Sequence, residues 1–253
     1  MTLPVVLVGV GEMGGVFARA LLRAGHPLYP VTRELGMADL AAELPEPEMV
    51  LIAVGEKDIA SVLSDVPEVW RDRLALLQNE LLPGDWEGIP DPTVISVWFE
   101  KKPGQEAKVI IPSPVHGPRA ALLADALQGI GISARVLATS EELLFELVVK
   151  NLYILTSNIA GLRAGGTVGE LWEQHQGFAR EVASEVIAIQ EALCGERFDH
   201  EALIASMVEA FLADPEHKCM GRSAPARLAR ALEHGQRFGL SLPTLNTLSA
   251  EAG

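Results

Sequence analysis

The sequence predicts an α/β fold, a doubly wound parallel sheet in its first half followed by an all-helical second half, and three observations carry that expectation. Short β-branched runs alternate with helical stretches up to about residue 138. A glycine-rich segment joins the first of those runs to the first helix. Beyond Thr139 the strand-like runs stop and long amphipathic patterns take over. Strand, helix and strand at this spacing imply parallel pairing with right-handed crossovers.

Along the chain, strands are expected at residues 5–9, 28–31, 49–54, 74–77, 94–97, 109–111 and 135–137. Between the first two, residues 12–24 place Val16, Phe17, Ala20, Leu21 and Ala24 at helical spacing, and Gly25 stops that helix. The prolines at 45, 47, 90, 92, 112, 114 and 118 read as loop punctuation. In the second half, helices are expected over residues 141–161, 168–193, 200–213 and 224–235. The change of character puts a domain boundary near Ala138–Ser140, giving domains 1–138 and 139–253.

The totals narrow the class. At 253 residues and 49% apolar composition the chain can bury a sizeable core. Its formal charge of -14 repels phosphate backbones and anionic lipid, so neither nucleic acid nor membrane is an expected partner. Cys194 and Cys219 stand far apart with no metal spacing, and read as free thiols of a reducing compartment. The six histidines show no metal-binding spacing and the serines no nucleophile elbow. The opening apolar run is too short for a signal peptide, and no run approaches a membrane span. The expectation is a cytoplasmic protein.

The segment VVLVGVGEMGG carries G-x-G-x-x-G at Gly9, Gly11 and Gly14, ending a strand and opening a helix. In that context the pattern has a mechanism. Gly9 makes the tight turn, Gly11 lets a pyrophosphate approach the backbone, and Gly14 lets helix and strand pack closely. The unpaired N–H groups of the first helical turn, with Glu12 and Met13, face the phosphates. The first domain is thus a Rossmann-type dinucleotide-binding unit. At the end of the second strand, Thr32-Arg33 offers a hydroxyl and a guanidinium fork suited to a 2′-phosphate, which favours NADP(H). Glu34 follows directly and, if it neutralises Arg33, leaves NAD as the alternative.

Lys150 interrupts an apolar helical run, EELLFELVVKNLYILTSNIAG. Asn158 lies eight residues on, only about 80° further round the helix, so both can face one side. A lysine there can snorkel to water, pair with Glu146 one turn earlier, or be desolvated into a general acid.

With these residues in order, the chain resembles the ketopantoate reductases (2-dehydropantoate 2-reductases) over nearly its whole length. The marks are Gly9–Gly14, Thr32-Arg33, Gln78-Asn79 after an apolar strand, Lys150 with Asn158 on a long helix, and Gly169-Glu170-Leu171. His217-Lys218-Cys219-Met220 is similar to the family's substrate loop, and the stretch from Phe238 through Pro243 to Asn246 resembles its closing turn. The resemblance implies hydride transfer from NADPH to the ketone of a 2-oxo acid, with Lys150 as general acid. It also implies that Asn79 sits near the nicotinamide ribose and substrate, that Asn158 hydrogen-bonds the substrate, and that substrate binds between two domains. Helical second domains in such folds commonly supply subunit contacts, so a homodimer is expected.

The sequence departs from the family in four places. Ile154 replaces a second asparagine one turn after the lysine. Gly55 replaces a lysine after the third strand, with Lys57 displaced by two. Cys219 and Met220 replace serines, and Ser223 stands where the family's hydroxyl-binding glutamate would fall. These changes point to a substrate other than ketopantoate. They also leave open a degenerate NADP(H)-binding sensor, or a dehydrogenase of 3-hydroxy acids or imines.

Overall fold

The computed structural model describes residues 2–32, 36–78, 80–221 and 223–252. By contact the chain divides into two units, residues 1–79 with 85–144 and residues 80–84 with 145–253.

In the first unit β1 (Val5–Val8), β2 (Leu28–Val31), β3 (Met49–Ile52), β4 (Leu74–Gln78), β5 (Thr93–Ser96), β8 (Ser113–His116) and β9 (Ala134–Val136) form one sheet in the order β2-β1-β3-β4-β5-β8-β9. Every pairing is parallel except β5 with β8. β1, β3 and β5 are buried along their whole length, and β1 and β3 accordingly read as unbroken apolar runs rather than alternations. β2 pairs only with β1, and as an edge strand it leaves Tyr29 exposed.

Helix α1 (Glu12–Arg23) buries the face built by Val16, Phe17, Ala20 and Leu21. Its end is closed by Gly25 at φ +88°, whose N–H donates to the Leu22 carbonyl. Helices α2 (Met37–Glu43) and α3 (Ile59–Ser64) complete the first crossovers, and α4 (Ala120–Gln128) joins β8 to β9. Phe17 and Leu21 share a core with Leu51, Ile95, Leu123 and Leu127.

Two details of the first half differ from the sequence expectation. The run at 109–111 does not enter the main sheet; Lys108–Val109 (β7) pairs with Phe99–Glu100 (β6) as a separate antiparallel ribbon. Pro114 is not in a loop but inside β8. The antiparallel ladder with β5 takes only Val115 and His116, so a residue without an N–H is accommodated there.

The second unit is helical. Its central helix α5 (Ser140–Ala164) begins where the sequence changes character, and its first turns are counted with the first unit. It is long and apolar enough by composition to cross a bilayer, contrary to the reading of its sequence, yet 72% of its most apolar stretch is buried within the protein. The single helix expected over 168–193 is two, α6 (Val168–Gln174) and α7 (Gln176–Cys194), because His175 leaves helical geometry at φ -131°, ψ 30°.

α6 opens on a capping box between Thr167 and Glu170. α7 ends on the left-handed Gly195, and α8 (His200–Ala213) starts from Asp199, whose carboxylate accepts from Glu201 and Ala202 N–H. α9 (Ala224–Phe238) stops at the left-handed Gly239. The segment read as a closing turn continues into α10 (Pro243–Ala252), whose first-turn N–H groups of Thr244 and Leu245 donate to the Glu185 carboxylate.

Candidate active site

The glycine turn has the close backbone approach expected at Gly9 and Gly14. Gly9 has φ +94°, and a Cβ there would lie 2.7 Å from the Ala53 carbonyl oxygen. A Cβ on Gly14 would lie 2.2 Å from the Gly9 carbonyl oxygen, so the helix could not approach the turn. Gly11 is different: its φ is an ordinary -78°, and an added Cβ would meet nothing within 4 Å. Its openness suits a ligand, whereas Gly9 and Gly14 serve packing. Gly11 is the N-cap of α1 and no side chain among the described residues caps that end, so the first-turn N–H groups present a positive end to an anion. These features fit a dinucleotide pyrophosphate.

Beside the turn lies a cavity of about 410 Å³, lined by Gly11, Gly15 and Arg19, by Lys101 and Ala107 of the β6–β7 region, and by Ile132. That size suits a small ligand or part of a larger one. Its two cations are paired: Lys101 Nζ lies 3.4 Å from Glu12, and Arg19 3.3 Å from Glu106. Thr32 follows β2 and is exposed. Arg33 and Asn79, both singled out from the sequence, lie outside the described residues. Gly55 starts a short 3-10 turn on which Lys57 is exposed.

In the second unit Lys150 is 7% exposed, so its side chain does not run out to solvent. Its ammonium sits 5.6 Å from the centre of the Tyr153 ring, within the range of a cation–π contact. Tyr153 lies one turn along α5 and packs on Phe211 of α8 at 5.3 Å and on His217 at 6.0 Å. Next to the lysine, Asn151 is buried and donates to Gln190 Oε1 of α7 at 2.7 Å. These contacts hold the α5 segment that carries Lys150 at a defined rotation.

Asn158 turns to the loop that precedes α9. Its Nδ2 donates to the Ile154 carbonyl, and its Oδ1 accepts from Gly221 N–H at 3.2 Å and from Arg227 Nη1 at 3.1 Å. The loop is fixed against α5 and α6. Gly161 leaves no room for a Cβ against Cys219, Cys219 N–H donates to the Gly166 carbonyl, and Val168 N–H donates to the His217 carbonyl. Burial, with the charge of Glu170, pushes the Cys219 thiol up to about 11, so it is not a nucleophile near neutral pH. Ser223 is exposed at the start of α9.

Three residues that the sequence did not single out complete this end of the unit. Glu80, whose side chain is 5% exposed, accepts from Arg227 Nε at 2.6 Å and from Arg230. Its backbone lies in the left-handed region at φ +66°, where a residue with a side chain costs about 1–2 kcal/mol. The two guanidiniums hold its carboxylate. One signal was available in the sequence: Arg227 and Arg230 are three apart on α9 and share a face.

A mostly parallel sheet opened by a glycine turn, followed by a helical unit carrying a buried lysine, describes a two-part fold of α/β and all-helical units. No protein-family model matches the sequence, and no curated protein matches it. Solved structures do match in fold. The 2-dehydropantoate 2-reductase of Methylococcus capsulatus superposes with a TM-score of 0.66 at 19% identity, covering 99% of this chain and 96% of that one. The dimeric ketopantoate reductase of Staphylococcus aureus gives 0.60 at 16%, covering 98% and 97%. D-mandelate dehydrogenase in complex with NADH and anilino(oxo)acetate gives 0.64 at 14%, covering 98% and 96%. The chain has the fold of the ketopantoate reductases over its full length.

Proposed function

We propose that this protein is an NADP(H)-dependent reductase of a small 2-oxo acid and a divergent member of the ketopantoate reductase family. The observation that carries the reading is Lys150, a lysine only 7% exposed on the central helix of a fold shared with such reductases. The D-mandelate dehydrogenase complex supports the substrate class, since mandelate is a 2-hydroxy acid and its bound ligand an oxoacetate.

The bound dinucleotide supplies hydride. The chain supplies the rest: Gly11 and the first turn of α1, with Glu12 and Met13, bind the pyrophosphate through backbone N–H groups. Thr32 and Arg33 select the 2′-phosphate, and Asn79 orients the nicotinamide ribose and substrate. Lys150 donates its proton to the ketone oxygen as negative charge develops there. Tyr153 covers the ammonium, and Asn158 hydrogen-bonds the substrate. Ser223, exposed at the start of α9, contacts the substrate in this reading. The protein works as a cytoplasmic homodimer in this reading.

The test is NADPH oxidation across a panel of 2-oxo acids, with Lys150→Ala as the decisive variant. Lys150→Ala is expected to bind NADPH as the parent does and to lose about 10²–10⁴-fold in kcat. Unchanged turnover in that variant removes Lys150 from the chemistry. A parent that consumes no NADPH with any 2-oxo acid removes the reductase reading and leaves a dinucleotide-binding protein.

A further inference from the structure

The cavity beside the glycine turn holds a lysine that has no part in the turn itself. Lys101 follows β6, and its ammonium donates to the carbonyls of Lys102 at 2.9 Å and Gln105 at 2.6 Å. An ammonium has three donors. Two of them tie this one to its own loop, and the Glu12 carboxylate lies 3.4 Å from it.

Glu12 is the first residue of α1, the helix whose N-terminus suits a pyrophosphate. Gly11, Glu12 and Lys101 line one cavity, so an anion seated on the first-turn N–H groups shares that space with both side chains. The helix face there is open to a guest. A Cβ on Gly11, or on Gly15 one turn further, would meet nothing within 4 Å.

The two partners differ in freedom. Lys101 is 21% exposed and tied by its loop, whereas Glu12 is 52% exposed and lies beyond the about 2.7–2.9 Å of a charged hydrogen bond. An acid in the first turn suits the positive helix end while that end is empty. Beside a pyrophosphate the same carboxylate is a like charge. The ammonium is fixed in place, so the carboxylate is the group that yields.

We propose that Lys101 is a cofactor-binding residue that pairs with the pyrophosphate, and that Glu12 occupies its place in the free protein. The incoming phosphate displaces the Glu12 carboxylate from the ammonium, and the carboxylate turns to solvent. Glu12 is thus a built-in competitor that holds cofactor affinity below what the site can give. The assignment rests on the reading of the α1 turn as a dinucleotide site.

The experiment is calorimetric titration of the full chain with NADPH, NADH and ADP-ribose, which needs no turnover. All three carry the pyrophosphate, and only NADPH carries the 2′-phosphate. Lys101→Met is expected to weaken all three about tenfold or more, the order of one charged hydrogen-bonded contact. Glu12→Gln keeps the shape of the side chain without its charge and is expected to tighten all three about two- to fivefold. The loss caused by Lys101→Met is expected to be larger in the Glu12→Gln background, where no internal carboxylate competes for the ammonium. Lys102→Met removes the same charge from the next residue, 67% exposed, and is expected to leave the affinities within about twofold.

Affinity unchanged in Lys101→Met or in Glu12→Gln overturns the proposal and keeps the dinucleotide site. Additive effects of the two substitutions overturn it as well, because the pair then persists in the complex. So do losses confined to NADPH, which put Lys101 at the 2′-phosphate, and an equal loss in Lys102→Met, which makes the effect one of net charge. If Lys101→Met fails to fold, Glu12→Gln decides alone, and affinity that does not rise overturns the proposal. No binding of any of the three ligands, by the parent or by Glu12→Gln, overturns the dinucleotide reading and this proposal with it.

Discussion

At the scale of single residues, the three glycines of the turn make separable predictions. Gly14→Ala drives a Cβ into the Gly9 carbonyl and is expected to destabilise the protein by about 1–3 kcal/mol or more. Gly11→Ala meets no protein atom, and its φ suits alanine, so it is expected to cost under about 1 kcal/mol as a weaker N-cap. Its effect falls on the ligand: dinucleotide affinity drops about tenfold or more, a loss of about 1.4 kcal/mol. Thermal melts and cofactor titrations of the two variants check the contrast. If Gly11→Ala binds cofactor as the parent does, no pyrophosphate lies on that backbone. The pattern of glycines was legible in the sequence. The reason each is glycine came from distances to Ala53 and Gly9, which a pattern does not contain.

Elements hold together here through their ends, and one such junction gives a pH dependence. Glu191, near the end of α7, has a side chain only 5% exposed. Burial works to raise its carboxyl. The Phe198 N–H, His200 and Arg197 outweigh it and hold the group below its ordinary value of 4.5. A carboxyl lowered in the folded state stabilises the fold above its unfolded value, and that contribution is lost as pH falls through the folded one. The melting temperature of the parent is therefore expected to exceed that of Glu191→Gln near pH 6, and the gap to close below about pH 4.5. A gap that stays constant from pH 6 to pH 3 rejects the ion-pair account of this junction. In the sequence, Glu191, Arg197 and His200 fall within the ten residues 191–200, across a loop and two helix ends, with no periodic relation. Only the turn between α7 and α8 brings them together.

For the whole molecule, ligand binding and stability are linked. A dinucleotide that binds the folded chain alone stabilises it by about 2.7 kcal/mol at a hundredfold excess over Kd. On the reading of Thr32 and Arg33, NADPH is expected to raise the melting temperature more than NADH at equal concentration. Arg33→Ala should then reverse or level the order. Equal shifts in the parent return the cofactor to NAD, as Glu34 beside Arg33 allows. The acidic surface bears on the same experiment, because a formal charge of -14 makes a local cationic patch the place where an anionic ligand gains most.

By itself the sequence determined the class: a parallel α/β first half, a helical second half, the glycine turn, and the lysine out of place in an apolar helix. These are local properties, set by periodicity, by φ requirements and by the cost of burying charge, and each is written in neighbouring residues. The tertiary structure alone decided the rest. It split residues 168–193 at His175, put Pro114 into a strand, and stacked Tyr153 over Lys150. It also joined Glu80 to Arg227, 147 residues away. A charge pair of that separation has no period to reveal it, because its geometry exists only after the helices have packed.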